Sequence, residues 1–317
     1  MAIYHFQISS VGRSAGRRAT AAAAYRAGER LRDERSGRLY DFSRRKDVMH
    51  TEIFLPAHLA GAAAKAWAQE REKLWNTAER AEKQSNSRVA REYEVSLPHE
   101  LSTAQRVALA RAFSLELTER YRVAVDLAVH LPRPGGDPRN FHAHLLTTTR
   151  EVTPKGLGAK AGLDMQPLER RRRELPDARQ EFRALRERWA TLTNEALREA
   201  NVEARVDHRS LAERGIDREP RPRLPIASLK MEQRGLRSEV AERIREEYRR
   251  RVAARLERAS QAAAAKESAA PSAERDAPAP VRDIEQIRRQ AREAWRQMRT
   301  PEAEAHGARQ PDDDLAL

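Results

Sequence analysis

Three segments of the sequence alternate between apolar and ionisable residues with the period of a β-strand. They are residues 88–97, 123–130 and 141–148. Each has one apolar face, which needs helices packed on it, and one face that carries ionisable groups. The apolar residues are Val89, Tyr93, Val95, Leu97, Val123, Val125, Leu127, Val129, Phe141, Ala143 and Leu145. The pattern predicts an antiparallel sheet with a helical layer on one side and an ionisable surface on the other.

Three histidines fall on the ionisable surface. His142 and His144 are two residues apart, so both rings point to the same side of a strand. His130 ends the preceding strand, across a loop rich in Pro and Gly. A hairpin would bring the three imidazoles together, and three converging neutral imidazoles form a metal site. The chain has 9 histidines in 317 residues, so this cluster favours a functional role.

The same face would carry three carboxylates, Glu92, Glu94 and Asp126. Buried ionisable groups must be paired or bound to metal, whereas a solvated sheet face tolerates them without any function. The solvated alternative accounts for Glu92 and Glu94 taken alone. It does not account for three imidazoles.

Further elements follow from periodicity and from turn residues. Strands are predicted at residues 2–10 and in a hairpin of 39–42 with 48–55, and a loop at 156–162. Helices are predicted at 16–32, 57–84, 102–120, 177–200 and 228–258. The fold class is therefore α+β, a two-layer sandwich. A central antiparallel sheet of about five strands would carry helices on one face, with a mainly helical C-terminal extension.

Composition changes along the chain suggest four parts. Residues 1–217 carry the strands and motifs, and 218–258 read as a charged helical extension. Residues 259–281 are rich in Ala, Ser and Pro and read as a linker, while 282–317 read as a short helix with an acidic disordered tail.

The charge balance indicates a polyanionic partner. The chain has 61 Lys and Arg against 48 Asp and Glu, a net charge of +13, and Arg outnumbers Lys several-fold. Guanidinium forks match phosphate oxygens, so nucleic acid is the expected partner, although a genome biased toward Arg codons would give a similar count. The absence of Cys excludes disulfides and Cys-ligated zinc. We expect no membrane insertion and no signal peptide, hence a cytoplasmic location.

A metal site that faces a polyanion suggests phosphoryl chemistry, and without Cys a tyrosine is the remaining nucleophile that forms a stable phosphoester. Tyr25 lies in ATAAAAYRAGE, where small residues allow a close approach. Positive charge surrounds it at Arg17, Arg18, Arg26 and Arg30. From the residues alone, an aromatic anchor on an amphipathic helix explains Tyr25 equally well.

Five segments, in order, resemble a known family. They are MAIYHFQISS, RATAAAAYRAGERL, REYEVSLPHEL, VDLAVH with NFHAHLLTTTR, and VDHRSLAERGID, and together they span residues 1 to 217. The chain resembles the MobA/MobL relaxases, which mobilise plasmids, within the His-hydrophobe-His (HUH) endonuclease superfamily. No motif of the family is found in the C-terminal third.

The resemblance implies a function and a set of roles. The chain would nick a plasmid transfer origin on one strand by transesterification, keep the 5′ end on Tyr25, and rejoin the strand. His130, His142 and His144 would hold Mg²⁺ or Mn²⁺, Glu92 and Glu94 would assist a histidine or a proton transfer, and Asp126 competes as the carboxylate that orients a metal-binding imidazole.

The implied partners are single-stranded DNA at the transfer origin, accessory mobilisation proteins and a type IV secretion coupling protein, in a bacterial cytoplasm. The arginines expected to bind DNA are Arg17, Arg18, Arg26, Arg30, Arg170, Arg171, Arg172 and Arg173.

Three other functions stay open at this point. A rolling-circle replication initiator would use the same chemistry at a replication origin. A non-catalytic nucleic-acid-binding protein would explain the charge but not the histidines. A hydrolase with a metal-activated water would leave no covalent adduct on the protein.

Overall fold

The computed structural model describes residues 3–59 and 66–269, together with 289, 290 and 293. The chain divides into two compact units, Met1–Ile216 and Asp217–Leu317. The first contains all the strands found among the described residues and the whole histidine cluster. Most of the linker and tail expected from composition lies outside the described residues.

The centre of the first unit is a five-stranded antiparallel sheet in the order β1-β5-β7-β6-β4. Its strands are β1 (Phe6–Gly12), β4 (Val48–Phe54), β5 (Arg88–Leu97), β6 (Val125–His130) and β7 (Phe141–Thr148). Two small hairpins lie outside it: β2 (Arg30–Arg32) with β3 (Leu39–Asp41), and β8 (Arg150–Thr153) with β9 (Gly156–Lys160). The central position of β6 and β7 places the histidines in the middle of the sheet.

Seven helices complete the described part of the chain. They are α1 (Ala19–Ala27), α2 (Arg71–Ala81), α3 (Thr103–Tyr121), α4 (Pro167–Arg172), α5 (Ala178–Glu199), α6 (Ile226–Gln233) and α7 (Glu239–Ala269). The first five belong to the first unit. Within the second unit, Arg245 of α7 binds both carboxylate oxygens of Glu232 on α6 at 2.6 and 2.8 Å.

One face of the sheet packs on α3 and α5, as the strand alternation predicts. Tyr93, Leu127 and Leu145 are at most 1% exposed and share a core with Phe113 of α3 and Trp189 of α5. Aromatic rings carry much of this contact, since Phe113 meets Trp189 with ring centroids 5.2 Å apart. The α+β class and its central antiparallel sheet are confirmed.

The structure adds helices to part of the opposite face. α1 and α2 pack there in a second core that includes Ala90 and Leu146 of the sheet and Trp75 of α2. Val89 also joins this core, not that of Tyr93. The buried residues of α1 are small, four alanines and Thr20, which lets the helix backbone lie close to the sheet.

Local signals explain where the helices begin and end. Ser102 accepts a hydrogen bond from the Gln105 amide while the Gln105 side chain accepts one from the Ser102 amide, so a reciprocal capping box starts α3. The side chain of Asp177 accepts from the Arg179 amide and caps α5. Gly28 ends α1 with φ of 65°, and a Cβ there would lie 3.0 Å from Cγ2 of Val48. Gly28 therefore fixes how α1 meets β4.

Two sequence expectations about strands are wrong. Residues 39–42 and 48–55 do not pair with each other, because β3 turns back on β2 while β4 joins β6 at the edge of the large sheet. Burial of Phe54 in the main core outweighs the shorter connection. The loop expected at 156–162 contains β9, which closes a local hairpin with β8.

Two expectations about helices also differ. The long helix expected over 57–84 is replaced by a short 3₁₀ turn at Ala57–Leu59 and by α2, with residues 60–65 outside the described part. Residues 259–269, expected in the linker, continue α7. A run of four alanines at 262–265 explains this continuation, since Ala has the highest helix propensity.

Across the described residues, none of the helices combines the length and the hydropathy needed to span a membrane.

Candidate metal centre

The hairpin of β6 and β7 brings three histidine rings into contact. His130 and His142 are paired across the two strands, and His144 lies one pleat further along β7. The ring centroids are 4.9 to 5.3 Å apart, and one nitrogen from each ring lies within 4.8 Å of the others. The structure thus brings together the three residues that the spacing singles out.

Hydrogen bonds assign a free nitrogen to each ring. His130 Nε2 lies 2.7 Å from the carbonyl oxygen of Arg26, and His142 Nδ1 lies 3.0 Å from that of Asn140. His144 Nδ1 lies 2.8 Å from Oε1 of Glu92. Because carbonyl and carboxylate oxygens only accept, these nitrogens carry the protons and the other nitrogen of each neutral ring keeps its lone pair. Three lone pairs held in this way fit a metal cation.

Burial favours the neutral form of His130 and His142. His130 is 1% exposed and His142 8%. Burial lowers the pKa of His130 to about 3, although its bond to the Arg26 carbonyl opposes the shift. Burial lowers the pKa of His142 in the same way. Neutral imidazoles are the form that binds metal, so the site is ready for a cation at neutral pH.

Glu92 connects the histidines to α1. Its carboxylate accepts from His144 and from Nε of Arg26, and Ser9 Oγ donates to its other oxygen at 3.3 Å. Burial would raise the pKa of this carboxyl, but the bonds from His144 and Arg26 outweigh burial and lower it to about 2. Glu92 is therefore an ionised residue that orients the His144 ring.

Glu94 lies on the same strand face with fewer contacts. Its side chain is 39% exposed and lies 3.9 Å from Nε2 of His5, beyond hydrogen-bond distance. It pairs with His144 only through the backbone register. The two glutamates therefore differ in their contacts, because Glu92 is hydrogen-bonded to the His144 ring and Glu94 is not, although the sequence places both on the same strand face.

Asp126 has a different role from the one expected. Its buried carboxylate accepts from Arg71 Nε at 2.9 and 3.1 Å and from Trp75 Nε1 at 2.8 Å. Arg71 also pairs with Glu29, just beyond α1. These partners belong to α2 and to the end of α1, so Asp126 fastens the helices to β6 and the carboxylate on a histidine is that of Glu92.

Tyr25 projects from α1 at the edge of this cluster. It is 40% exposed, and the next residue, Arg26, contacts both His130 and Glu92. Its ring lies under Cζ of Arg45 at 4.1 Å and meets the Phe42 ring edge-on at 5.2 Å. Arg45 also donates to the Tyr25 carbonyl and pairs with Asp47. The Tyr25 side chain is thus exposed but fixed by an arginine and an aromatic ring.

Sequence reasoning missed Arg45, which lies in a run of basic residues, SRRK, without any distinguishing spacing. It also missed the backbone carbonyls of Arg26 and Asn140, since a carbonyl leaves no mark in the sequence. The available signal for Arg45 was the turn at residues 42–45, which returns the chain toward α1.

The arginines expected to bind DNA fall into three groups. Arg17 and Arg30 are exposed, whereas Arg18 is near Asp33 and Glu79, at 3.8 and 4.0 Å, and Arg26 is bound to Glu92. The expectation for Arg170 is wrong. Its guanidinium is 4% exposed and donates to Glu181 and to the carbonyls of Gly162 and Pro176, which leaves it unavailable to DNA. Arg171, Arg172 and Arg173 are exposed, and Arg173 pairs with Glu169.

Comparisons with known proteins give consistent similarities. The model of the MobA/MobL family matches residues 17–234. The mobilization protein MobL of Acidithiobacillus ferridurans is 37% identical over 280 residues, which cover 82% of this chain and 70% of that protein. The conjugal transfer protein TraA of Agrobacterium fabrum is 33% identical over 258 residues, 76% of this chain. The match covers only 23% of TraA, so the chain spans about a quarter of that relative.

Among solved structures, one described as "Molecular Basis of Vancomycin Resistance Transfer in Staphylococcus aureus" is 30% identical, with a TM-score of 0.52. The match covers 66% of this chain and 100% of that one. The chain is thus similar in fold to a protein of known structure over about two thirds of its length.

Proposed function

The chain belongs to the MobA/MobL family, and on this premise we propose that it is a DNA relaxase. It would nick one strand at a plasmid transfer origin, hold the 5′ end on Tyr25, and rejoin the strand. One observation carries the proposal. Arg26 bonds to His130 through its carbonyl and to Glu92 through its guanidinium, while the preceding residue presents an exposed phenol. The exposed phenol and the residue that contacts the histidine cluster are therefore neighbours on one short helix.

The proposed step exchanges one phosphodiester for another. The Tyr25 oxygen loses its proton and forms a bond to phosphorus, while the bond from phosphorus to the 3′ oxygen breaks and that oxygen takes up a proton. The cation of Arg45 beside the ring favours negative charge on the phenolic oxygen as the proton leaves. Since the bond made is of the same class as the bond broken, the step is reversible, which suits a strand that must be rejoined.

The histidine cluster fits a resident divalent cation. The sequence predicts Mg²⁺ or Mn²⁺, and three nitrogen donors suit Mn²⁺ better, because Mg²⁺ prefers oxygen ligands. A cation bound there would offset the negative charge that develops on the scissile phosphate. The chain contributes neutral rings and the fixed carboxylate of Glu92. EDTA should abolish nicking and Mn²⁺ should restore it, and nicking that persists in EDTA would exclude a metal role.

The remaining partners are proposals of the same kind. Single-stranded DNA would lie across the exposed arginines near the site, Arg17 and Arg30, and along Arg171–Arg173. Accessory mobilisation proteins and a type IV secretion coupling protein stay predictions from the family, as does a cytoplasmic location.

The test is a covalent adduct on a labelled single strand that contains the cognate transfer origin. Wild-type protein with Mn²⁺ should give an adduct that survives denaturing electrophoresis, and Tyr25→Phe should give none while still binding the strand. Tyr40→Phe is the matched control, since Tyr40 is a half-buried tyrosine of β3 that lies under Arg38. An adduct with Tyr25→Phe, or its loss with Tyr40→Phe, would contradict the assignment.

A further inference from the structure

A basic pocket of about 400 Å³ lies on α5, on the helical side of the sheet. The residues that line it include Arg179, Phe182, Arg183, Arg186, His208 and Arg209. The last two belong to the motif VDHRSLAERGID, which the metal centre does not use. One acidic residue, Glu213, also lines the pocket, so the wall is strongly positive.

Three of the arginines form a row on one helix face. Arg179, Arg183 and Arg186 have the spacing i, i+4 and i+7, which places them side by side. They are exposed, and within residues 3–59 and 66–269 their guanidiniums take part in no ion pair and no hydrogen bond. Neighbouring arginines differ, since Arg188 of the same helix is bound to Glu116 and Arg170 to Glu181. Like charges at this spacing are unfavourable unless an anion joins them.

The opposite wall is held in place by specific bonds. The Asn194 side chain donates to the Val206 carbonyl at 2.9 Å and accepts from the Val206 amide at 2.8 Å, which fixes this segment to α5. Asp207 binds the guanidinium of Arg209, which lines the pocket, at 2.8 Å. Ser210 and Glu213 close a reciprocal capping pair, so the carboxylate of Glu213 accepts from a backbone amide. The pocket is therefore preformed.

The pocket lies at the edge of the sheet that ends in β1. Tyr4, just before β1, donates from its hydroxyl to the Arg186 carbonyl at 2.7 Å. β1 is separated from the histidine strand β7 by β5 alone, and so by about 10 Å at the usual strand spacing. The histidines lie on the face of the sheet opposite α5, so a strand of DNA that leaves the metal centre across β5 would have to pass round the β1 edge to reach the pocket.

We propose that this pocket binds the phosphodiester backbone of the same DNA, as a second contact away from the scissile phosphate. The inference rests on the proposed DNA function but not on cleavage. Guanidinium rows recognise phosphate oxygens by paired hydrogen bonds, and Phe182, whose ring lies under Cζ of Arg91 at 5.2 Å, adds an apolar surface to the wall. The bound backbone would add phosphates to a row whose acidic neighbour in the pocket lining is Glu213, with which Arg183 interacts electrostatically.

The probe is a labelled thymidine oligonucleotide, because backbone contacts are independent of sequence. Binding is measured by fluorescence anisotropy in EDTA at several salt concentrations, so that no nicking occurs. The triple variant Arg179→Gln, Arg183→Gln and Arg186→Gln should reduce the slope of log affinity against log salt by about 2, at about 0.7 per single-strand phosphate contact. At 0.15 M salt this corresponds to a loss of about 50-fold.

Two controls separate the pocket from net charge and from folding. Arg198→Gln removes one exposed, unpaired charge from the same helix outside the pocket, and should leave the slope unchanged. The triple Lys variant keeps the charges and should keep most of the slope. The proposal would be overturned if the triple Gln variant lost no more than three times the slope that Arg198→Gln loses. It would also be overturned if an acidic protein bound in the pocket while DNA binding stayed normal.

The outcome is also independent of the nicking proposal. If Tyr25 forms no adduct but the triple Gln variant still loses the slope, the relaxase proposal fails and the pocket proposal holds. If the adduct forms and the slope is unchanged, the reverse is true.

Discussion

Replacing Glu92 by Gln tests how the metal centre is organised. The change keeps the shape of the side chain and removes its charge. The carboxamide still accepts from the His144 ring, but its NH₂ group now faces the guanidinium of Arg26. We expect the affinity for Mn²⁺ to fall by about 10- to 100-fold, the usual cost of losing a carboxylate that supports a metal-binding histidine.

The magnitude follows from the electrostatics of the carboxylate. Lowering the pKa of Glu92 from 4.5 to about 2 corresponds to about 3 kcal/mol in favour of its ionised form. Two partners share this energy, His144 and Arg26. If about half acts on His144, the ring loses about 1.5 kcal/mol of orientation and basicity, or about 10-fold in affinity. Misplacement of Arg26, whose carbonyl holds His130, adds to the loss.

The assay is calorimetric titration of Mn²⁺ into the metal-free protein at pH 7, with no DNA present. Glu94→Gln is the matched control, because Glu94 lies on the same strand and face but is 39% exposed and lies 3.9 Å from the His5 ring, beyond hydrogen-bond distance. We expect it to bind Mn²⁺ within about 3-fold of the wild type, given the small energies of exposed charge pairs. Thermal unfolding confirms that both variants are folded.

Wild-type affinity in Glu92→Gln would refute the assignment of Glu92 as the residue that orients His144. Equal losses in both variants would show that strand charge in general, not the hydrogen bond to His144, sets the affinity.

Three further predictions concern other parts of the first unit. Arg45→Ala should slow adduct formation in single-turnover assays by about 5- to 30-fold, because it removes a cation over the Tyr25 ring that contributes about 1 to 2 kcal/mol. The exposed Arg44→Ala is the control and should leave the rate unchanged. Glu82→Gln should lose about 1 to 2 kcal/mol of unfolding free energy in urea at pH 7, because the bonds from Lys160 and Arg150 outweigh burial and hold the pKa of Glu82 below 4.5. That stabilisation is present above the unfolded-state pKa and is lost as the pH falls through the folded one, so the two proteins should converge in acid; a constant difference would contradict the reasoning. Ser102→Ala should cost about 1 kcal/mol by the same measurement through loss of the α3 capping box, and an unchanged midpoint would exclude that contribution.

The alternation of apolar and ionisable residues predicted the sheet from the sequence alone. The period of two along β5, β6 and β7 assigns Tyr93, Leu127 and Leu145 to the core, because a residue on the wrong face would bury a charge. The family motifs then predicted the family and the candidate nucleophile. Helix starts at Ser102 and Asp177 were also readable, since a cap is a local hydrogen bond within a few residues.

Contacts between distant residues could not be read in this way. Phe54 joins the main core, and so β4 pairs with β6 although β3 is much nearer in sequence. Arg170 and its exposed neighbours look alike in the sequence, yet within this run of arginines it is Arg170 that binds Glu181. Whether an arginine is free depends on which carboxylate the fold brings to it.

At the metal centre, the sequence and the tertiary structure each determine a different part of the site. The sequence by itself determined that His130, His142 and His144 share one face, because side-chain direction is a property of the strand. The tertiary structure decided which oxygen holds each ring, that Glu92 and not Asp126 supports His144, and that Arg45 lies over Tyr25. The bond of His142 to the Asn140 carbonyl is local. The other contacts join residues 20 to 104 positions apart, and the packing of α1 and β5 against the hairpin of β6 and β7 brings them together.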